Sequence, residues 1–259
     1  MTTSPPVTAD ETIATDAGPV VLVMPAYNAA ATLKDTYERI LPGVVDKVIL
    51  VDDASKDETL QVAATLELQT IALPHNVGYG GNQKTCYLEA IRQHASVVVM
   101  LHPDGQYDPA FLGQLVDAVR VGGADVVLGS RLMDPGGARA GGMPLWKLLA
   151  NRFLTRCENA VLGRDLAEYH TGYRAYSRRF LETVPFLRNA NDFSFDSEIL
   201  VQAVHFGFDI VELPVTTRYF NDASSVGLGA GIVYGLKTFG VLGRYRLHRL
   251  GIRSRLFEP

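Results

Sequence analysis

The sequence predicts an α/β fold with a mainly parallel central sheet, flanking helices and a C-terminal helical extension. Short apolar runs, such as VILV at residues 48–51 and VVVM at residues 97–100, are typical of buried parallel strands. Helical patterns separate these runs, and that alternation is typical of a doubly wound sheet. Acids follow two of the runs, at Asp52, Asp53 and Asp104. Because ligands of open α/β sheets bind beyond the carboxyl ends of the strands, these acids predict a polar ligand held through a divalent metal.

The first half of the chain carries the alternating strands and helices. The predicted strands cover residues 20–24, 47–51, 70–73, 97–101 and 125–128. Pro25 ends the first strand, and a helix is expected at about residues 29–40. Ser55 and Glu58 have the spacing of a capping box, which predicts that the second helix begins there.

Two further signals predict helices in this half. The glycine-rich segment HNVGYGGNQ leads into a helix that reaches about Gln93. Asp108 followed by Pro109 is typical of a helix start, because proline is well tolerated in the first turn.

The second half of the chain changes character. PGGARAGG, within residues 133–143, is too glycine-rich for a packed element and predicts a mobile loop or lid. Helices are expected at residues 145–161 and 195–206, with a strand and turn in YHTGYRAYSR between them. Residues 210–219 indicate paired strands around Pro214, and residues 226–250 have apolar residues at helical spacing.

Length and composition indicate one large α/β domain with extensions. The chain has 259 residues, of which 47% are apolar and 20% charged, as in ordinary globular proteins. A formal net charge of −4 gives no general attraction to nucleic acid. The two cysteines lack metal-ligand spacing, which indicates a reduced, cytoplasmic protein. Residues 1–18 lack the basic start and apolar core of a signal peptide and are expected to be a disordered tail.

A dinucleotide-binding Rossmann domain is disfavoured. That fold needs a glycine fingerprint directly after its first strand, but here the first strand runs into PAYNAA. The GYGG cluster follows the third strand and lacks the GxGxxG spacing.

An ordered set of motifs resembles the family 2 glycosyltransferases of GT-A fold, above all the polyprenyl- and dolichyl-phosphate sugar synthases. The resemblance extends over residues 20–225 and rests on PAYN, VDDASKDET, HPDGQ, GSR, GYRAYSR and FDSEIL before ELPV. It implies a GT-A domain at residues 19–225, followed by an amphipathic and basic helical extension at residues 226–259. It also implies transfer of a hexose from a nucleotide diphosphate sugar, UDP- or GDP-linked.

The resemblance implies a nucleotide site at the first two motifs. Asp53 corresponds to the aspartate that contacts the base or ribose in this family. Pro25, Tyr27 and Val51 would wall the base pocket, and Arg218 corresponds to an arginine on the donor side. As an alternative, Asp52 and Asp53 only form a turn or cap a helix, although Ser55 already supplies a cap.

The HPDGQ turn resembles the metal-binding turn of the family. Asp104 and Gln106 match it and would hold Mn²⁺ or Mg²⁺ together with the donor diphosphate. His102 stands where the family has its first aspartate. A neutral imidazole can ligate Mn²⁺ but suits Mg²⁺ poorly, so His102 either contacts the metal or only forms hydrogen bonds in the turn.

Basic residues after the fifth strand would receive the acceptor. Arg131 matches a family position that contacts phosphate, which implies a catalytic role. Lys147, Asn151 and Arg152 stand where ligands of an acceptor phosphate are expected. The sequence departs from the family in two places. Ala29 replaces an acid, and a lysine expected shortly after Arg218 is missing, with Ser224 and Ser225 near its place.

The nature of the acceptor depends on two acids. In other family 2 enzymes an acid near Asp196 or Glu198 is the general base for a hydroxyl acceptor, so Glu198 is a catalytic candidate. A phosphate acceptor is already anionic and needs no base. Both acids could instead stabilise the start of a helix. His170 and Tyr173 are candidates for the wall of the site or for structural roles.

The C-terminal segment could contact a membrane surface. Its apolar stretch is interrupted by Lys237 and by glycines and is too short for a membrane span. The arginines that follow fit a helix lying on an anionic membrane, at positions 244, 246, 249, 253 and 255. Packing on the protein itself or on a second copy in a homo-oligomer would explain the segment equally well.

The sequence therefore favours an inverting, metal-dependent transfer of a hexose to a polyprenyl phosphate, in the cytoplasm and at the inner membrane face. Two alternatives stay open. One is a soluble family 2 glycosyltransferase that acts on a hydroxyl of a polysaccharide or small metabolite. The other is a non-catalytic protein that binds nucleotide sugars, which the departures at His102 and Ala29 suggest.

Overall fold

The computed structural model describes residues 18–134, 136–219 and 228–258. The predicted disordered tail lies outside these residues except for Gly18, and so do Ser224 and Ser225. Seven strands form one sheet in the order β3-β2-β1-β4-β6-β5-β7. Their bounds are β1 (Val20–Ala26), β2 (Lys47–Asp52), β3 (Gln69–Ala72), β4 (Val97–Met100), β5 (Val126–Ser130), β6 (Arg174–Ser177) and β7 (Ile210–Pro214).

The sheet is mainly parallel, as the sequence predicts. β1 pairs in parallel with β2 and β4, and β5 pairs in parallel with β7. β6 runs antiparallel to both of its neighbours, so its first residue, Arg174, lies opposite Met100 at the end of β4. The start of β6 therefore reaches the same edge of the sheet as the carboxyl ends of the parallel strands.

Helices cover both faces of the sheet. They are α1 (Leu33–Glu38), α2 (Thr59–Ala63), α3 (Tyr79–Arg92), α4 (Leu112–Arg120), α5 (Gly137–Ala140), α6 (Leu145–Leu162), α7 (Arg178–Thr183), α8 (Phe195–His205) and α9 (Leu228–Arg249). One apolar cluster joins the sheet to α3, α8 and the second half of α9, and another joins it to α1 and α4. Burial on both faces explains why β1, β2 and β4 are continuous apolar runs rather than alternating ones.

The predicted capping box is wrong. α2 begins at Thr59, and its first turn has no side-chain cap. The Ser55 hydroxyl instead accepts a hydrogen bond of 2.8 Å from the backbone N–H of Asn28. It thereby ties the loop after β2 to the loop after β1. The predicted helix start at Asp108 and Pro109 is confirmed, because the Asp108 carboxylate accepts from the N–H of Ala110.

Two other expectations differ from the structure. Residues 210–219 contain one strand, β7, and beyond it only an isolated bridge between Tyr107 and Thr217 among the described residues. The glycine-rich segment is not devoid of packing, since α5 lies within it and Ala138 is buried. Gly141 permits this because its backbone approaches Thr217 so closely that a Cβ would lie 2.2 Å from the carbonyl oxygen.

Among the described residues, α9 is the longest helix. Within these residues, no helix combines the length and the apolar character that crossing a bilayer requires.

Candidate active site

A cleft of about 1240 Å³ opens at the carboxyl ends of the parallel strands. One side, which we call the strand edge, follows β1, β2 and β4 and consists of Pro25, Tyr27, Asp53, His102, Asp104 and Gln106. The opposite side, which we call the helical wall, belongs to α6 and α9 and consists of Trp146, Lys147, Phe153, Ile232, Leu236 and Phe239. The cleft thus brings Pro25, Tyr27, Asp53 and the residues of the predicted metal turn together with a surface of very different character.

Asp53 lines the cleft, but its carboxylate also holds the neighbouring loop. The side chain is almost fully buried. Its two oxygens accept hydrogen bonds from the backbone N–H groups of Val77, at 2.7 Å, and Gly78, at 3.1 Å. These bonds order the turn that enters α3. A carboxylate oxygen has more than one acceptor position, so this role leaves room for a ligand hydroxyl or base N–H.

The other predicted nucleotide residues separate into two groups. Pro25 and Tyr27 line the cleft, and the Tyr27 side chain is 49% exposed. Val51 is fully buried in β2 and is not part of the lining, so it supports the pocket rather than walling it. Arg218 is exposed and lies outside the cleft, where it borders a small pocket with Gln106 and Asp108.

The predicted metal turn is well ordered. Asp104 Oδ1 accepts a hydrogen bond of 3.0 Å from the backbone N–H of Gln106. His102 stacks on Tyr79, with ring centroids 5.6 Å apart, and its Nε2 lies 3.3 Å from the Tyr79 hydroxyl. The side chains of Asp104, Gln106, His102 and Tyr79 all line the cleft. The turn therefore presents one carboxylate, one amide and one imidazole to the same space.

This donor set fits a divalent metal that is shared with a diphosphate. In the described parts of the chain, no group of three or more His, Cys, Asp or Glu side chains could hold a metal by itself. A metal bound here would complete its coordination with ligand and water oxygens, which is usual for Mg²⁺ and Mn²⁺ at phosphate sites. Asp104 and His102 would be the protein ligands, with Gln106 beside them.

Arg131 lies in the cleft, but its guanidinium is held in place by the protein. It forms an ion pair with Glu168, which is completely buried, and Nε donates to the same carboxylate at 2.9 Å. Nη1 donates to the Tyr219 hydroxyl at 2.8 Å, and Nη2 donates to the carbonyl of His170 at 2.7 Å. The predicted contact with a ligand phosphate would have to use the remaining Nη1 hydrogen or follow a rearrangement.

Glu168 was missed by the sequence reasoning. Burial by itself raises the pKa of the Glu168 carboxyl, but the nearby Arg131 guanidinium and four hydrogen bonds outweigh burial and hold that pKa below its usual value. Residues 166–168 lie outside regular secondary structure and show no periodicity, so the sequence offered only an acid two residues before His170 as a signal.

The predicted acceptor residues do not act as a group. Lys147 lines the cleft with its ammonium 5.8 Å from the centre of the Tyr219 ring. Burial, followed by repulsion from Arg131, lowers the pKa of Lys147. Asn151 is buried and donates to Glu168 at 2.7 Å, which makes it a support for the Arg131 ion pair. Arg152 is exposed and is not part of the lining.

The two candidate bases are both engaged elsewhere. Asp196 reaches the cleft, but it accepts from the Tyr79 hydroxyl at 2.8 Å and pairs with the buried Arg174 at 3.3 Å. Glu198 is buried outside the cleft, where it pairs with Arg244 at 2.7 Å and accepts from the N–H of Ala190. This placement does not fit the expectation that Glu198 acts as a base, because a base must reach the proton that it removes.

His170 lies between α6 and α9, the two helices of the helical wall. Its Nδ1 lies 2.8 Å from the Tyr234 hydroxyl on α9, and its Nε2 lies 3.1 Å from the buried Glu158 on α6, although without hydrogen-bond geometry. His170 and Tyr234 line the cleft. Tyr173 is fully buried among apolar residues and therefore has a packing role rather than a place in the wall.

The helical wall exposes large apolar side chains. Phe153, Ile232 and Leu236 have exposed fractions of 58, 59 and 66%. Leu149 and Val233, on the same two helices, continue this exposed surface beyond the cleft. Several large exposed apolar side chains on two packed helices make the helical wall a candidate binding surface.

Comparisons with known proteins agree with this architecture. The family model described as "Glycosyl transferase family 2" matches residues 21–184. A UDP-N-acetylglucosamine–dolichyl-phosphate N-acetylglucosaminyltransferase from Methanococcus voltae is 27% identical, with 85% of this chain and 93% of the relative covered. An undecaprenyl-phosphate mannosyltransferase from Micrococcus luteus is 28% identical, with 92% and 98% covered. A polyprenol monophosphomannose synthase from Mycolicibacterium smegmatis is 29% identical, with 76% of each chain covered.

Solved structures share the fold. Glucosyl-3-phosphoglycerate synthase from Mycobacterium tuberculosis, in complex with phosphoglyceric acid, superimposes with a TM-score of 0.66 at 22% identity and covers 92% of this chain and 82% of its own. The same enzyme with Mn²⁺, UDP and glucosyl-3-phosphoglycerate gives a TM-score of 0.63 at 21% identity, with 98% and 88% covered. The GT-A architecture is therefore confirmed. Because the family model spans most of the sheet and the strand edge, the chain belongs to glycosyl transferase family 2 and is a glycosyltransferase.

Proposed function

We propose that this glycosyltransferase moves a hexose from a nucleotide diphosphate sugar to a polyprenyl monophosphate, with inversion at the anomeric carbon. The observation that carries this proposal is the composition of the cleft. A strand edge with acids and a metal-type turn faces a helical wall of exposed apolar side chains, and Lys147 lies at the junction. A nucleotide diphosphate suits the first surface, and a lipid chain with a phosphate head suits the second.

The donor would bind along the strand edge. Asp53 and Tyr27 would hold the nucleoside, and Asp104, His102 and Gln106 would hold a metal on the diphosphate, since all five line the cleft. Mn²⁺ or Mg²⁺ would offset the charge that develops on the departing nucleoside diphosphate. The names of the Methanococcus relative and of the Mn²⁺ and UDP complex of the structural neighbour support UDP as the first nucleotide to test.

The acceptor phosphate would approach from the helical wall. Of the two described Lys and Arg side chains that line the cleft, Lys147 has fewer fixed contacts, since Arg131 is already paired with Glu168. Attraction to Lys147 would place the phosphate beside the anomeric carbon, and such positioning can supply much of the rate enhancement. The prenyl chain would lie on Phe153, Leu236 and Phe239. Three relatives whose names contain dolichyl-phosphate, undecaprenyl-phosphate or polyprenol monophosphomannose support this acceptor class.

A hydroxyl acceptor is the less favoured alternative. It would need a general base, yet Asp196 is paired with Arg174 and Glu198 lies outside the cleft. A phosphate acceptor needs no base, so these placements favour the phosphate. We also propose that the exposed apolar face and the basic second half of α9 hold the protein peripherally at the cytoplasmic face of a membrane, where a polyprenyl phosphate is available.

The proposal is tested by offering two acceptors to the full chain. UDP-glucose, UDP-N-acetylglucosamine and GDP-mannose are supplied with Mn²⁺ or Mg²⁺, and with either undecaprenyl phosphate in vesicles or soluble 3-phosphoglycerate. We expect sugar transfer to the lipid phosphate alone. Transfer to 3-phosphoglycerate at an equal rate would contradict the proposed acceptor.

Variants separate the two surfaces. Lys147→Ala should reduce transfer to the lipid phosphate by more than it reduces hydrolysis of the donor. Lys34→Ala is the matched control, because Lys34 pairs with Glu38 on the exposed face of α1, outside the cleft. Leu236→Ser should weaken sedimentation with vesicles of phosphatidylglycerol and phosphatidylcholine, while UDP binding stays unchanged. Normal lipid transfer by Lys147→Ala would show that the phosphate is received elsewhere.

A further inference from the structure

His102 belongs to a chain of hydrogen bonds that continues away from the metal turn. Its Nε2 is 3.3 Å from the Tyr79 hydroxyl oxygen, and that hydroxyl is 2.8 Å from Asp196 Oδ2. Asp196 Oδ1 accepts from Gln83 at 3.2 Å and pairs with Arg174 at 3.3 Å. An imidazole, a phenol and a carboxylate are thus connected in series, and a completely buried arginine lies at the end.

The direction of each hydrogen bond follows from the number of protons available. An ionised carboxylate only accepts, and the positive charge of buried Arg174 requires Asp196 to be ionised. The single hydroxyl proton of Tyr79 is therefore donated to Asp196. Toward His102 the phenol oxygen can only accept.

The His102 tautomer is then fixed. Nε2 must carry a hydrogen to donate to Tyr79, which leaves the lone pair of neutral imidazole on Nδ1. Nδ1 has no hydrogen-bond partner among the described residues. At the Nε2–Cδ2 edge of the ring, Gly172 approaches so closely that a Cβ would lie 2.9 Å from Cδ2 and 3.0 Å from Nε2. Tyr79 and Gly172 hold one edge of the ring, and Nδ1 lies on the opposite edge.

We propose that Tyr79, held by Asp196, is a positioning residue that fixes His102 in its Nε2–H tautomer and so makes Nδ1 a ligand for the divalent metal. Metal-bound histidines in proteins commonly donate their other ring N–H to an acceptor that fixes the tautomer and ring orientation. The inference also assigns a role to Asp196, which the sequence suggested as a base. An imidazole ligand favours Mn²⁺ over Mg²⁺, because Mg²⁺ prefers oxygen ligands.

The inference rests on the proposed metal-dependent transfer, but its first test needs neither metal nor turnover. Two-bond ¹H–¹⁵N correlation spectra of the metal-free, ¹⁵N-histidine-labelled full chain report which ring nitrogen carries the hydrogen. The His102 signals are identified by their loss in His102→Asp. We expect the hydrogen on Nε2 in the natural protein and a mixture of both tautomers in Tyr79→Phe, which retains the stacked ring but lacks the hydroxyl.

The control is Tyr37→Phe. The Tyr37 hydroxyl donates to the Glu67 carbonyl at 2.8 Å, far from this chain of hydrogen bonds, so its removal should leave the His102 signals unchanged. A hydrogen on Nδ1 in the natural protein would overturn the inference, and so would identical His102 signals in the natural protein and Tyr79→Phe.

The second test examines the metal. Electron paramagnetic resonance of Mn²⁺ bound with UDP should show a nitrogen coupling that disappears in His102→Asp. Tyr79→Phe should weaken Mn²⁺ binding by about 10- to 100-fold, the usual effect of losing a partner of a metal-bound histidine. Bound Mn²⁺ without nitrogen coupling would overturn the inference. Absence of sugar transfer to lipid phosphate, with the coupling present, would contradict only the proposed acceptor.

Discussion

The strand edge and the helical wall of the cleft are built in different ways. The side chains of the strand edge lie at the end of β1 or in the loops that follow β1, β2 and β4, so the sheet register sets where these loops begin. The helical wall depends on contacts between distant segments, such as Arg131 with Glu168 and Tyr219, and Glu198 with Arg244. The strand edge is polar and supported by backbone hydrogen bonds, while the helical wall is apolar outside and supported by buried ion pairs.

Because of this difference, we expect the strand edge to contribute mainly to activity and the supports of the helical wall mainly to stability. Asp104 and His102 have few partners of their own, so they are available for a ligand. The polar groups of Arg131 and Asn151 are both bound to the Glu168 carboxylate. Substituting any of the three should therefore lower the stability of the fold before it affects the chemistry. We expect substitutions in the strand edge to reduce activity in a stable protein. Substitutions in the supports of the helical wall should reduce stability first.

The largest effect is expected for Glu168→Gln. The variant leaves the Arg131 guanidinium charged without its anionic partner, and breaking a buried pair in this way typically costs about 3–5 kcal/mol. Urea denaturation of both proteins measures the loss. A change below about 1 kcal/mol would show that Arg131 finds water or another partner and that the helical wall does not depend on this pair.

The same pair gives a pH dependence with a definite sign. The pKa of Glu168 is lower in the folded protein than in the unfolded chain, where it is about 4.3. The stabilisation is therefore fully present above that value and is lost as the pH falls through the lower, folded pKa. In Glu168→Gln this part of the acid destabilisation should disappear. Comparing stability at neutral and acidic pH in both proteins checks the sign.

Asp104→Asn should have the opposite effect to Glu168→Gln, with activity lost and stability kept. Asparagine keeps the oxygen that accepts from the Gln106 N–H, so the turn and the free energy of unfolding should be preserved. If Asp104 is the proposed anionic metal ligand, its loss should slow transfer by about 100- to 1000-fold, as when other groups that stabilise transition-state charge are removed. The matched control is Asp108→Asn, which retains the cap on Ala110 in the same turn, outside the cleft. Equal effects of both variants on turnover would contradict the assignment of Asp104.

The sequence predicted the strand edge more completely than the helical wall for a physical reason. A parallel strand can be predicted from a local apolar run. The residue that follows the run must lie at the carboxyl edge of the sheet, as Asp53 and His102 do. Glu168 has no such local signal, because its partner Arg131 is 37 residues away in the chain and no periodicity relates the two. Glu198 and Lys147 both had helical signals, but helix phase alone did not show which of them enters the cleft.

Glu198→Gln addresses the remaining alternative for the acceptor. Glutamine keeps the acceptor for the Ala190 N–H but loses the ion pair with Arg244. Because Arg244 is half-exposed, we expect a loss of only about 1.5 kcal/mol, the low end for a hydrogen bond to a buried charge. Sugar transfer by the folded variant should stay near normal. A loss of about 100-fold in transfer, with folding intact, would indicate a general base and a hydroxyl acceptor.

The smallest effect concerns backbone strain at the strand edge. Ala54, directly after Asp53, has a φ of +57°, a left-handed conformation that costs an L residue about 1–2 kcal/mol. Ala54→Gly relieves this cost but adds freedom to the unfolded chain, worth about 0.4–1 kcal/mol. We therefore expect the free energy of unfolding, measured by urea denaturation, to rise by about 0.5 kcal/mol.

Asn28, with a φ of +52°, is the matched control, because its side chain accepts from the Lys56 N–H at 2.8 Å and glycine would lose that bond. Asn28→Gly should consequently destabilise the protein. A gain in stability with both variants would mean that the hydrogen bond between the Asn28 side chain and the Lys56 N–H contributes little. A loss with both would mean that the strained conformation at Ala54 is held by contacts that depend on its methyl group.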